Sequence, residues 1–369
     1  MERKIDYRFK LLYCLAIIFV VLGHTQGGSI HLFDNWFPMG GMHIMLFVFA
    51  SGYFYKLDSN EHLGKYLLNK LKKFIIPLFL YNLFYGLFST FMISQGFYLS
   101  GPLTLETLFI APIKSGLQFG YNMGSWFIIP LLMVEIYNVL IRFVLKKIKL
   151  NEYFYFILNT LLGILGIYLA SKGYNDGWYL PLVRFLYFLA FYAFGTFYHQ
   201  ILEKYDDKIS NIIYFGILFG IKLLISFVLL KMPYYTPSHC NDFIDGPIIP
   251  LISGITGILF WFRICKILEP VIGRSKVINM IADHTYSIMM NQFLGFFLIK
   301  FIYSLISTYT PIFHDFNQEL YHQDIFYYFL PHGQEYMLII YVVAGIIIPI
   351  LIDKLVAIVK NKTLSIIKQ

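Results

Sequence analysis

Apolar runs of membrane-spanning length recur from one end of the chain to the other, separated by short polar segments. Within each run apolar residues follow one another without alternating with polar ones, which predicts helices rather than barrel strands. Ten spans are expected. The first five lie at Leu11–Thr25, Met42–Tyr55, Phe74–Ile93, Ser125–Leu145 and Tyr153–Ala170. The second five lie at Leu180–Tyr198, Ile212–Leu230, Ile248–Phe262, Thr285–Ile306 and Met337–Val359. The first, second and eighth are short against a hydrocarbon core about 30 Å thick, so they must borrow flanking residues or tilt differently. The expected fold is an all-α polytopic membrane protein of about ten transmembrane helices. It is expected to be one integral membrane domain over residues 1–369, with no separate soluble domain.

Composition narrows the class further. Of 369 residues, 58% are hydrophobic, 20% aromatic and only 14% charged, where soluble domains carry about 25% charged residues. Disorder, coiled coil and disulfide scaffolds are excluded by the same figures. The net charge of +8 raises the question of nucleic acid, and its distribution answers it. Under the ten-span layout, 23 of the 29 Lys and Arg residues fall on the face of the termini. Lys114, Lys172, Arg184, Lys222, Lys231 and Lys300 are the remainder. The positive-inside rule then puts both termini in the cytoplasm, and no nucleic-acid partner is needed to explain the basic balance. The N-terminus has the basic-then-apolar outline of a signal peptide. Its run ends in Gly23-His24-Thr25-Gln26 rather than a small-residue cleavage site, so it reads as a retained span. Cys14, Cys240 and Cys265 have neither a disulfide framework nor metal-ligand spacing among them.

Ionisable groups inside a bilayer are costly, which makes each a candidate for function. His24 ends the first span and His43 begins the second, so both imidazoles are expected at similar depth near the outer surface. Asp34, in the loop between them, is the nearest acid in sequence. Two histidines and an acid can do general acid–base work near neutral pH; the alternative is two interfacial histidines bonded to headgroups or backbone. Lys10 and Tyr13 precede His24 by near-whole numbers of turns, so the three share a face, although Lys10 can also snorkel to headgroups. Arg184, at the outer end of the sixth span, can grip an anionic or sugar-like group by forked hydrogen bonds. Ser125 and Trp126 open the fourth span at the outer edge, where a Trp is either an interfacial anchor or a platform for a sugar ring. Glu135, mid-span, is expected to pair with Lys222 or Lys300. The long outer loop from Ser307 to Tyr336 carries His314, Asp315, His322, Asp324, His332 and Glu335 but no Lys or Arg. Its spacing matches no metal site, so a solvated lid is expected and no metal. On the inner side, Lys70, Lys72 and Lys73 before Phe74-Ile75-Ile76-Pro77, with Lys146, Lys147, Arg274 and Lys276, form a basic surface suited to phosphates.

Several of these segments resemble a known pattern. Ile17-Ile18-Phe19-Val20-Val21-Leu22-Gly23-His24 is similar to the end of the first helix in the acyltransferase-3 family of integral membrane acyltransferases. Met42-His43-Ile44-Met45-Leu46-Phe47-Val48-Phe49-Ala50-Ser51-Gly52-Tyr53 resembles its second-helix signature. The basic cluster before Phe74–Pro77, Ser125-Trp126-Phe127, and His284-Thr285-Tyr286-Ser287-Ile288 follow in the expected order.

The resemblance implies an O-acetyltransferase that moves an acyl group, most commonly acetyl from acetyl-CoA, onto a sugar hydroxyl of a surface polysaccharide or its lipid-linked precursor. It implies that His24 is the catalytic residue and His43 its companion. Arg184, Trp126, Ser125 and Asp34 are then expected on the acceptor side, and Lys10, Lys72, Lys73, Lys146 and Arg274 at the CoA phosphates. The expected setting is a multi-pass cell membrane, with glycan-assembly proteins as further partners. Two positions depart from the family pattern: Tyr13 stands where a basic residue is common, and Asn291-Gln292 where a histidine often stands. Two other readings compete. One is an exporter of a glycan or lipid-linked intermediate, its pathway lined by Glu135, Lys222 and Lys300; the other is a structural partner in glycan assembly.

Overall fold

The first helix begins where the Asp6 carboxylate accepts the backbone N–H of Arg8 at 3.1 Å, closing an amide that the first turn leaves unpaired. It runs Tyr7–His24 (α1) and ends as Thr25 folds back, its N–H and its hydroxyl both donating to the Leu22 carbonyl. The computed structural model describes residues 5–25, 36, 37, 39–56, 62–147 and 151–367. Nine further long helices follow: Met39–Tyr53 (α2), Leu63–Ser94 (α3), Ile128–Lys147 (α4), Glu152–Ser171 (α5), Tyr179–Phe197 (α6), Asn211–Leu229 (α7), Ile249–Ile272 (α8), Thr285–Tyr309 (α9) and Leu338–Ile367 (α10). Among the described residues, α2 alone of these ten fails the length needed to cross a membrane by itself; the other nine are long and apolar enough. This is a multi-pass membrane protein.

Lengths differ from the expected ones in instructive ways. The eighth span is not short, because α8 continues ten residues past the expected Phe262 to Ile272 and takes in Cys265. The third helix is 32 residues long, about 48 Å at 1.5 Å per residue, so its Lys65–Lys73 portion extends well past a hydrocarbon core. The second is 15 residues, about 22 Å, and remains the short member.

Helix α6 is the axis of the molecule, buried along nearly its whole length. It receives α2 on one side and α5 on another through small residues. A Cβ on Gly52 would overlap the Tyr192 carbonyl, and one on Gly195 would overlap the Phe49 carbonyl, so the α2–α6 crossing exists because both positions are glycine. Helix α1 packs against α2, α8 and α9, and Phe9, Phe49, Tyr53, Tyr198 and Phe262 meet around its N-terminal half. The outer helices present the opposite character. Leu80, Phe84, Leu87 and Phe91 on α3, Ile157, Leu161 and Leu165 on α5, and Leu224, Phe227 and Val228 on α7 are all exposed. Apolar surface on that scale faces lipid tails rather than water.

Candidate active site

At the end of the bundle where α1 finishes, a cavity of about 250 Å³ opens between helices and loops. His24 and His43 both line it, as expected from their positions at the joined ends of α1 and α2. Its inner wall is apolar: Val20, Ile44 and Met289 are each at least nine-tenths buried. Trp126 and Gly124 form one side, at the 3-10 turn Gly120–Phe127 that precedes α4. Tyr234, Thr236, Pro237, Ser238 and His239 complete it from the α7–α8 connection, and Phe326 from the α9–α10 connection.

The orientation of His24 follows from its neighbours. Its Nδ1 lies 3.3 Å from Gln292 Oε1, while Gln292 Nε2 donates to the Met289 carbonyl at 3.3 Å. That second bond fixes which end of the amide faces the imidazole, so the oxygen accepts and Nδ1 carries the hydrogen. The basic lone pair is then on Nε2. The backbone is held as well: the Tyr328 hydroxyl donates to the His24 carbonyl at 2.6 Å. Phe293 packs against the imidazole at 5.0 Å between ring centroids. His43 is half-buried beside Ile44 on the first turns of α2.

The arrangement of histidines, tryptophan and apolar inner wall over 250 Å³ has the character of an enzyme site, and the match to known families runs through it. Residues 6–353 match the family model of the acyltransferase domain, the acyltransferase-3 type. The chain belongs to that family. No curated protein and no solved structure matches it. Every described residue that lines the cavity lies inside the matched stretch of the acyltransferase domain.

The remaining expected site residues fall into three groups. Trp126 lines the cavity, but Arg184 stands behind it. The Arg184 guanidinium donates through Nε and Nη2 to the Ser238 carbonyl, the former at 2.9 Å, and through Nη1 to the Ser115 carbonyl at 2.7 Å. It lies 4.7 Å from the Trp126 ring. Its fork is therefore engaged with backbone, and it ties two wall segments to α6. Ser125 behaves in the same way, its hydroxyl donating to the Gly116 and Asn122 carbonyls. Asp34 lies outside the described residues.

The basic residues expected at the CoA phosphates gather at the helix ends remote from the cavity. Lys72, Lys73, Lys146 and Arg274 are exposed, with Arg274 5.9 Å from the Tyr7 ring. Lys10 pairs with Asp283 at the end of the short helix Lys276–Asp283. Tyr13 stacks on Phe47.

The mid-membrane charges pair differently from expectation. Glu135 is bridged by Lys70 at 2.8 Å and by the Tyr66 hydroxyl at 2.5 Å, because the N-terminal extension of α3 reaches α4. It meets neither Lys222 nor Lys300. Lys222 donates to the Ser253 hydroxyl at 2.7 Å, and Lys300 to the Ile325 carbonyl at 2.7 Å. Both lysines are fully buried, and neither lines the histidine cavity. Two hydrogen bonds hold the α9–α10 connection against the end of the bundle where the cavity opens, from Lys300 to the Ile325 carbonyl and from Tyr328 to the His24 carbonyl. Among the described residues no cluster of metal-ligating side chains is present.

Sequence reasoning missed Gln292 as a partner of His24, and missed the α7–α8 connection altogether. The first had a signal, since the Asn291-Gln292 departure had been noted. The second had none, because the loop carries no periodicity and its single histidine stands far from the others in sequence.

Proposed function

We propose that this protein is a membrane-bound O-acyltransferase that moves an acetyl group from acetyl-CoA to a sugar hydroxyl of a cell-surface polysaccharide or its lipid-linked precursor. The observation that carries this reading is the orientation of His24: Nδ1 is engaged by Gln292 and Nε2 is the nitrogen left to act as base. His24 Nε2 takes the proton of the acceptor hydroxyl as its oxygen attacks the thioester carbonyl. The carbon–oxygen bond forms, the carbon–sulfur bond breaks, and the imidazolium returns its proton to the departing sulfur, releasing CoA as the thiol. His43, on the same cavity, supports the developing charge of the tetrahedral intermediate.

Trp126 forms part of the wall against which the sugar lies. Arg184 and Ser125 act at one remove, by holding the wall segments that carry Trp126 and Ser238. Lys72, Lys73, Lys146 and Arg274, with Lys10 beside them, suit the CoA phosphates because they are cations at one end of the bundle and all but Lys10 are exposed. That end is the cytoplasmic one in this reading, by the positive-inside rule. Lys10 precedes His24 by fourteen residues of one helix, about 21 Å, so the thioester has to be carried between the helices to reach the base.

The test is transfer of labelled acetyl from acetyl-CoA to de-O-acetylated envelope polysaccharide in membrane vesicles. His24→Ala is expected to lower the rate by about 10²–10⁴-fold, the range of a positioned general base, at unchanged protein level. Transfer at the wild-type rate by His24→Ala would remove the reading.

A further inference from the structure

The cavity holds a third imidazole that this chemistry leaves unused. His239 lines its mouth and is exposed there. Among the described residues its ring has no hydrogen-bond partner. The residues on either side of it are pinned by other parts of the chain. The Ser238 carbonyl takes two donors of Arg184 from α6, and the Cys240 carbonyl accepts from Asn175 Nδ2, in the α5–α6 connection, at 3.2 Å. The loop is closed internally by Thr236 N–H donating to Asp242 at 2.6 Å and the Tyr235 hydroxyl donating to Asp245 at 2.7 Å.

The same guanidinium that holds Ser238 also holds Ser115 and covers the Trp126 ring. One buried Arg therefore sets the imidazole of His239 and the indole of Trp126 in fixed relation across the mouth. Burial, and then the nearby Arg184 cation, lower the proton affinity of His239, so at neutral pH it offers one N–H donor and one lone pair. A sugar hydroxyl asks for the same pair. Among the described lining residues there is no Lys or Arg, which suits an uncharged ring rather than a phosphate.

We propose that His239 is the acceptor-binding residue of this site, hydrogen-bonding a second hydroxyl of a neutral sugar that lies against the wall containing Trp126 while His24 faces the reacting hydroxyl. This rests on the O-acyltransferase reading, and extends it to the residue that selects the acceptor.

The experiment uses the full-length protein in membrane vesicles, with labelled acetyl-CoA and de-O-acetylated envelope polysaccharide as the varied substrate. His239→Ala is expected to raise the acceptor KM about tenfold, the worth of one hydrogen bond between neutral groups, with kcat and the acetyl-CoA KM within about twofold of wild type. His239→Asn, which keeps a donor and an acceptor, is expected to recover most of the loss. An unchanged acceptor KM in His239→Ala, or a loss confined to kcat, overturns the proposal. Direct binding of the same polysaccharide, measured by thermophoresis on purified protein, is expected to weaken by the same factor, and equal binding overturns it even where no transfer is detected. His24→Ala separates the two readings: transfer surviving in His24→Ala refutes the base, whatever His239 does.

Discussion

Beside His24 stands an amide where many general bases are held by a carboxylate, and the amide can do the orienting part of that task alone. Gln292 Oε1 faces Nδ1 only because Nε2 is occupied by the Met289 carbonyl. Removing the amide leaves the ring with the Val20 carbonyl as its remaining hydrogen-bond partner, and so less firmly set in angle. A displacement of about 1 Å in a reacting group can cost on the order of 10²-fold in rate. Gln292→Ala is therefore expected to lower kcat by about that factor with the acceptor KM unchanged, and Gln292→Glu to keep most of the rate because an acceptor oxygen remains. Steady-state kinetics on both variants decides it, and an unaltered kcat in Gln292→Ala would mean the ring is held by other contacts. The neighbouring Asn291 shows what was legible here. In sequence the two residues form one departure from the family pattern, but successive helical positions point about 100° apart. Asn291 turns away to Tyr85, Ser287 and Tyr81, where its role is packing between helices. Only a structure could separate the pair.

At the scale of the element, the ten helices were readable because a bilayer demands long apolar runs, but several ends were not: α3 begins eleven residues before its apolar run and α8 ends ten residues beyond its own. Helix partners were not readable. When every face of a run is apolar, periodicity gives no direction, and pairing is decided by where small residues allow close approach. Gly52, inside the Ser-Gly-Tyr signature, shows this. Its Cα is pressed on the Tyr192 carbonyl while Gly195 of the facing helix is pressed on the Phe49 carbonyl. Gly52→Ala forces apart α2 and α6, and with them the start of α2 that carries His43. Overpacking against backbone is expected to cost about 3 kcal/mol, seen as a lowered thermal midpoint in detergent and reduced yield. Gly216→Ala on α7, where a Cβ meets nothing within 4 Å, serves as the control and is expected to leave both unchanged. Equal stability of the Gly52 variant would show that the crossing is looser than its geometry. The misassigned partner of Glu135 has a similar cause: Lys70 lies on a part of α3 that the apolar run does not include, so counting only the run hid it.

For the whole molecule, one end collects the basic residues and the other collects the site. At the basic end many cations are neutralised in place. Lys266 joins Asp206 and Asp207, Arg263 joins Asp206, Arg142 joins Glu152, and Arg8 joins Asp6 and Glu203. Such pairing does not weaken the topological argument, since the positive-inside rule counts Lys and Arg rather than net charge. Lys208, beside Asp206, and Gln334, in the α9–α10 connection, are both exposed, and the proposed orientation predicts that the first faces the cytoplasm and the second faces outward. Cys14, Cys240 and Cys265 are all buried, so single cysteines placed at these two positions can be read against a quiet background. Gln334→Cys is expected to react with a membrane-impermeant maleimide in intact cells, and Lys208→Cys only after permeabilisation. The inverse result would turn the protein over, or mean that α2, which precedes both positions, does not cross; labelling of both in intact cells would mean that one of α7, α8 and α9 does not cross. The orientation bears directly on the chemistry. The Pro331–Gly333 turn beside Gln334 continues the segment whose Tyr328 holds the His24 carbonyl, so an outward Gln334 puts the base on the outer side. In the proposed reaction a cytoplasmic thioester then surrenders its acyl group most of a membrane thickness away from the proposed site of the CoA phosphates, past the buried wall of Val20, Ile44 and Met289. That wall must part in turnover for the acyl group to arrive.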